Sequence, residues 1–236
     1  MIIINKLTKY YNDLLVLNNI NLHLTKGEII AITGPSGSGK STLLRCIANL
    51  DLPSAGTITI DGISSLSPNI YQKIGMVFQH FNLFSHMDVI NNLIYTPTTV
   101  RKLSKTSTKE KAFSLLKQVG LIDKAYAYPA NLSGGQKQRV AIVRTLMLEP
   151  EVILFDEPTS ALDPENVKEV LNIIKSLTRT GVTILIVTHE LSFARDTASR
   201  LLFFDHGNII EDGLPLEIIQ NPKTERAKTF FNNVIN

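Results

Sequence analysis

The sequence predicts an α/β protein built on a largely parallel sheet, interrupted by a helical insertion. Short apolar runs alternate with helical patterns at both ends of the chain, as successive β–α units of a parallel sheet do. An early strand breaks into a glycine-rich turn that opens a helix. Between them, residues from about 86 to 150 carry helical patterns, such as Lys109 to Val119, and few β-runs.

In chain order, β-rich segments come first, at Ile2 to Lys9, Leu14 to Leu24 and Glu28 to Ile32. The last runs into Gly34-Pro35-Ser36-Gly37-Ser38-Gly39, and from Lys40 the pattern is helical. Thr57 to Asp61 reads as a strand closing at the Asp61-Gly62 turn, and Ile74 to Phe78 as a buried strand. After the insertion the alternation resumes. Val152 to Phe155 and Val182 to Thr188 are apolar runs, with a helix over Pro164 to Thr178 between them. Leu191 to Ala198 reads as helical, Arg200 to Phe204 and Asn208 to Glu211 as strands.

The 236 residues are 44% hydrophobic and 19% charged, enough to fold around a sizeable core. Thirteen glycines, ten prolines and one cysteine exclude collagen-like and disulfide-scaffold classes. Cys46, within Leu43-Leu44-Arg45-Cys46-Ile47, reads as a small buried hydrophobe. Lys and Arg exceed Asp and Glu by only 24 to 21 and are spread along the chain, so no nucleic-acid partner is expected. No apolar run approaches the roughly 20 residues of a bilayer span. Met1-Ile2-Ile3-Ile4-Asn5-Lys6 puts apolar before basic, unlike a signal peptide. A cytoplasmic location is expected.

Gly34-Pro35-Ser36-Gly37-Ser38-Gly39-Lys40-Ser41 fits G-x-x-x-x-G-K-[ST], and Thr42 follows. Glycines let successive backbone N–H groups turn inward on phosphate oxygens, and the opening helix adds its unpaired N–H groups. Lys40 is placed to reach the β/γ-phosphates, and Ser41 Oγ to sit on Mg²⁺. The residues therefore predict a nucleoside triphosphate site.

Val152-Ile153-Leu154-Phe155-Asp156-Glu157 is an apolar strand ending in two carboxylates, where parallel sheets bind their ligands. Asp156 is expected to face Mg²⁺, and Glu157 to polarise a water against the γ-phosphate. His189 ends Ile184-Leu185-Ile186-Val187-Thr188 in the same manner, and Gln79 follows Met76-Val77-Phe78. Taken alone, a histidine there is more often a packed or edge residue, Gln79 is ambiguous in the same way, and neither makes a site by itself. Leu132-Ser133-Gly134-Gly135-Gln136 starts another helix, with Ser133 as a natural N-cap. Its exposed N–H groups form a second anion-binding end whose partner the residues leave open.

These motifs together resemble the ATP-binding subunits of ABC transporters over essentially the whole chain. Gly34, Ser36, Gly37, Ser38, Gly39, Lys40, Ser41 and Thr42 fall in the Walker A loop, and Gln79 matches the Q-loop glutamine. Val152 to Glu157 is similar to the Walker B strand with its catalytic glutamate, and Leu132 to Gln136 to the ABC signature. Ser160-Ala161-Leu162-Asp163 resembles the D-loop, His189 the switch histidine, and Tyr11 the aromatic that stacks on adenine.

The resemblance implies one ATPase domain. Residues 1–85 and 151–236 would form a core with an N-terminal antiparallel β part, and 86–150 a helical subdomain. It implies ATP and Mg²⁺ as ligands, with Glu157, His189 and Gln79 catalytic and Ser41, Gln79 and Asp156 at the metal. It also implies a head-to-tail homodimer in which Ser133, Gly135, Gln136 and Asp163 meet the ATP held by the other copy. Integral membrane permease subunits would be partners, with a groove near Phe81, Leu83 and Phe84. The location would be the inner face of the cell membrane, and a periplasmic or surface substrate-binding protein would take part indirectly.

A narrower likeness is to the polar amino acid importers, glutamine and arginine/histidine systems among them. It rests on Phe78-Gln79-His80-Phe81-Asn82-Leu83-Phe84, on Thr188-His189-Glu190 with Phe193-Ala194-Arg195, and on Glu211-Asp212-Gly213. The tail Asn221-Pro222-Lys223-Thr224-Glu225-Arg226, with Phe230 and Phe231, belongs to the same likeness. Arg144-Thr145-Leu146 departs from the usual Arg-Ala-Leu, and the segment from Ser64 to Tyr71 is short. The expectation is an importer ATPase. The alternatives are the ATPase of a cell-division type membrane complex, or an importer of another small solute.

Overall fold

The computed structural model describes residues 1–235. In chain order the strands and helices are β1 (Ile2–Tyr11), β2 (Leu14–Leu24), β3 (Ile29–Thr33), α1 (Lys40–Ile47), β4 (Ala55–Ile60), β5 (Ile63–Ser64) and β6 (Ile74–Val77). There follow α2 (Val89–Thr99), α3 (Lys105–Gln118) and α4 (Gly134–Leu146). The chain ends with β7 (Val152–Asp156), α5 (Pro164–Leu177), β8 (Thr183–Val187), α6 (Leu191–Thr197), β9 (Arg200–Asp205), β10 (Asn208–Gly213), α7 (Pro215–Gln220) and α8 (Glu225–Ile235).

The main sheet runs β10-β9-β3-β8-β7-β6, with β9, β3, β8, β7 and β6 parallel and β10 antiparallel at one edge. A second sheet, β2-β1-β4-β5, is antiparallel throughout. Period-2 alternation sorts each central strand between two cores. Ile30, Ile32, Val152, Leu154, Leu185, Val187, Leu202 and Phe204 face α1 and the antiparallel sheet. Ala31, Ile153, Phe155, Ile184, Ile186, Leu201 and Phe203 face the other way, toward α5 and the C-terminal helices. Cys46 is fully buried in the first core, as its apolar neighbours require.

A third core joins α2, α3 and α4 through residues such as Leu93, Leu116 and Val140. The helix α2 falls within the helical stretch expected over 86–150, which gave it no bounds of its own, and it holds Pro97 inside it. Asp88 caps it by accepting from the Asn91 N–H at 2.8 Å. The tail motif, given no secondary structure from the sequence, follows α7 and runs from Glu225 into α8, while α7 itself had no assignment. Strand ends differ from expectation by one or two residues, β1 reaching Tyr11 and β10 Gly213.

Candidate nucleotide site

Sheet order decides which side chains meet. Going from β3 to β8, β7 and β6 along the carboxyl edge, the chain delivers the glycine-rich loop, His189, Asp156-Glu157 and Gln79. The register sets Asp156 beside Val187, and the Glu157 N–H donates to the Val187 carbonyl at 3.1 Å. A cleft of about 450 Å³ opens there, lined by Tyr11, Val16, Ser36, Gly37, Gly39, Lys40, Ser41, Thr42, Gln79 and Glu157.

The loop between β3 and α1 needs glycine twice over. Gly34 lies at φ +147°, where an added Cβ would overlap the Phe204 carbonyl oxygen. Gly39 lies at φ +108°, with the Val16 carbonyl 2.7 Å from such a Cβ. The loop folds around Lys40, whose Nζ donates to the Gly34 carbonyl at 2.8 Å and the Pro35 carbonyl at 2.7 Å. Lys40 is only 4% exposed, and burial lowers its pKa against the opposing pull of Glu157, Asp156 and Asp205.

Ser41 Oγ donates to Asp156 Oδ1 at 2.6 Å, so the two expected metal groups are already in contact. Burial raises the Asp156 carboxyl above its ordinary value, and the serine bond opposes that. Hydroxyl, carboxylate and the Gln79 amide oxygen form a hard donor set, the kind that suits Mg²⁺ completed by phosphate and water. Glu157 Oε1 lies 3.4 Å from His189 Nε2. That contact lowers the Glu157 pKa and outweighs the raising effect of partial burial.

Tyr11, not its neighbour Tyr10, lines the cleft, and Tyr11 Oη donates to Asp51 Oδ2. The hydroxyl is thereby fixed at one end while Lys9 Nζ lies 4.8 Å from the ring centroid.

Ser133, Gly135, Gln136 and Asp163 do not line this cleft. Ser133 and Gln136 cap each other's backbone: Ser133 Oγ accepts from the Gln136 N–H, and Gln136 Oε1 from the Ser133 N–H. A Cβ on Gly135 would overlap the Asn166 side chain, so the start of α4 packs directly on the start of α5. Asp163 caps α5, accepting from the Asn166 N–H at 3.0 Å. Phe84 is partly exposed and packs edge-on to Tyr95, while Leu83 leans on the helical core.

Two features had no signal in the sequence. Val16 joins the cleft only because β2 runs past the loop. The turn after β9 touches the loop itself, where the Gly207 N–H donates to the Ser38 carbonyl at 2.9 Å. Among the described residues no helix is long and apolar enough to cross a membrane.

The "Arginine transport ATP-binding protein ArtM" of Bacillus subtilis is 51% identical to this chain over 240 residues, covering 100% of both. The "Glutamine transport ATP-binding protein GlnQ" of Geobacillus stearothermophilus is 48% identical over 241 residues, again covering 100% of both. A solved ATP-binding cassette, titled a dimeric structure of a post-hydrolysis state bound to ADP and Pi, superposes with a TM-score of 0.83 at 35% identity. The match covers 91% of this chain and 99% of that one. The family model described as "ABC transporter" matches residues 17–160, more than half of the sequence. With relatives alike from end to end and a shared cassette fold, the chain belongs to the ABC transporter family.

Proposed function

We propose that this chain is the ATP-hydrolysing subunit of an importer of a polar amino acid, acting as a head-to-tail pair that closes on two ATP molecules. One observation carries the pairing. The Ser133–Gln136 helix start is capped and offers N–H groups, yet lies outside the cleft that holds the phosphate loop of its own chain. A second copy brings that end to the γ-phosphate, and Asp163 to the same seam. The titles of the similar cassette, a dimer with ADP and Pi, and of the arginine and glutamine transport relatives support the reading.

Within each site, Tyr11 stacks on adenine. The N–H groups of Ser36, Gly37, Ser38 and Gly39, with Lys40 and Thr42, hold the phosphates. Ser41, Asp156 and Gln79 hold Mg²⁺, which supplies charge neutralisation at the phosphate oxygens. Glu157 accepts the proton of a water that attacks the γ-phosphorus. The bond to the ADP oxygen breaks, giving ADP and inorganic phosphate. The His189 contact at 3.4 Å orients the Glu157 carboxylate for that task. Binding closes the pair and hydrolysis reopens it, shifting a membrane permease between two states. Residues 1–85 and 151–236 act as the catalytic core and 86–150 as the helical subdomain facing that permease. The chain sits on the inner face of the membrane, and a substrate-binding protein takes part only through the permease.

Glu157→Gln tests the pairing, because it keeps ATP binding and removes water activation. Size-exclusion chromatography in Mg-ATP should show a stable dimer. A variant that remains monomeric at saturating ATP overturns the trans-site reading. Pull-down from native membranes should recover a permease of the amino acid type.

A further inference from the structure

The tail motif Thr224-Glu225-Arg226 with Phe230 and Phe231 has no part in the chemistry above, yet it docks behind the phosphate loop. Phe230 and Phe231 pack on Phe203 of β9, with ring centroids 5.1 and 5.5 Å away. Arg226 grips Asp205, the last residue of β9, with Nε to Oδ2 at 2.7 Å and Nη2 to Oδ1 at 3.4 Å. Asp205 is 5% exposed, and its only other ion-pair contact among the described residues is the longer one to exposed His206, Nε2 to Oδ2 at 3.9 Å, so this carboxylate depends chiefly on Arg226. The next two residues form the turn. His206 takes a left-handed conformation, and Gly207 presses so close to Val16 that a Cβ there would lie 2.6 Å from the Val16 carbonyl.

Gly207 is held on both sides. Its carbonyl accepts from the Asn18 N–H at 2.9 Å, and its N–H donates to the Ser38 carbonyl at 2.9 Å. A trans peptide unit points its C=O and N–H in opposite directions. Drawing the Ser38 carbonyl back to Gly207 therefore aims the Gly39 N–H away from the turn, toward the cleft that Gly39 lines.

We propose that Arg226 is a positioning residue for nucleotide binding: it neutralises Asp205 and, through the Asp205–Gly207 turn, holds the Ser38–Gly39 peptide in the orientation that presents its N–H to phosphate. The proposal rests on ATP binding at this cleft. The field of Asp205 reaches Lys40, one of the groups that sense it. Removing Arg226 leaves a buried negative charge behind a polyphosphate site and frees the turn. Both effects weaken ATP binding without touching Glu157, Asp156 or His189.

Thr224 provides the comparison. Its N–H and Oγ both donate to Glu211 Oε1 at 2.7 Å, so it anchors the same tail to β10 away from the turn. Isothermal titration of ATP into the full chain, beside thermal melts, separates the two roles. Arg226→Ala should weaken ATP binding by about three- to fivefold. Thr224→Val should lower the melting temperature comparably and leave ATP affinity within about twofold. Asp205→Asn combined with Arg226→Ala should return most of the lost affinity, because the uncompensated charge is gone. Arg226→Gln serves if the alanine variant does not fold. Wild-type binding tests the nucleotide reading, and the ratios among variants test the brace. Equal affinities for wild type and Arg226→Ala, equal losses for the Arg226 and Thr224 variants, or a double variant no better than the single would each overturn it.

Discussion

Gly75, in the middle of β6, has ordinary strand geometry, and what demands glycine there is space. A Cβ on Gly75 would overlap the Thr145 methyl of α4 and stand 3.1 Å from Pro150 Cγ. Thr145 is the residue at which this chain departs from the usual Arg-Ala-Leu, so glycine and threonine form a matched pair across the β6–α4 contact. Gly75→Ala forces a methyl into filled space, at about 1–3 kcal/mol for overpacking, offset by about 0.4–1 kcal/mol of reduced unfolded-chain entropy. The net loss is about 1–2 kcal/mol, or roughly 2–8 °C in melting temperature for a chain of this size. Thr145→Ala alone loses one buried methyl, about 0.8 kcal/mol, and regains roughly half of that in helix propensity. It also gives up the Oγ bond, which reaches the Ala141 carbonyl at 3.1 Å and, more weakly, the Met76 carbonyl of β6 at 3.4 Å. The double variant should therefore lie within about 1 kcal/mol of wild type, with a coupling of about 1–2 kcal/mol. Urea unfolding of the four proteins measures the cycle. If Gly75→Ala costs the same in both backgrounds to within about 0.5 kcal/mol, the space argument is wrong.

Two further outcomes follow from loop geometry. Gly34→Ala, facing the Phe204 carbonyl, should cost about 2 kcal/mol or more and abolish ATP binding, while Gly37→Ala meets nothing within 4 Å and should cost only the left-handed strain of about 1 kcal/mol. Melts of the two variants that ranked them in the reverse order would contradict this. Asn92 is fully buried; its Oδ1 accepts from the Phe84 N–H, and its Nδ2 donates to the Phe84, Met87 and Asp88 carbonyls. Asn92→Ala should cost roughly 2–4 kcal/mol and open residues 82–88 to protease, so unchanged limited proteolysis would refute its role as a clamp.

The central strands were legible because burial on both faces leaves continuous apolar runs, as in Ile184 to Val187. The phosphate loop and the acid pair were legible because their chemistry needs fixed spacing next to a strand end. What escaped depends on distant partners. The bounds of α2, with Pro97 inside it, are held by Asp88 and by packing on α3 and α4. Tyr11 was expected at the nucleotide and does line the cleft, but the bond that fixes its hydroxyl, to Asp51 40 residues away, left no mark in the sequence. The reason for Gly135 lies in Asn166, on a helix the signature does not mention. The Gly207–Ser38 bond ties the phosphate loop to a distant turn, His206-Gly207, that no motif marks.

Strand order also governs the chain as it is made. β3, which launches the phosphate loop at Thr33, has β8 and β9 as its two neighbours, and β8 begins only at Thr183. At about 5–20 residues per second, synthesis of that interval takes roughly 8–30 s. Throughout it, Ile29 to Ile32 has no partner strand on either edge. A nascent chain, or a product truncated before residue 183, therefore carries an unpaired apolar strand that invites intermolecular pairing. Soluble production of this cassette thus depends on its last quarter being translated promptly, or on a chaperone shielding the N-terminal half until then.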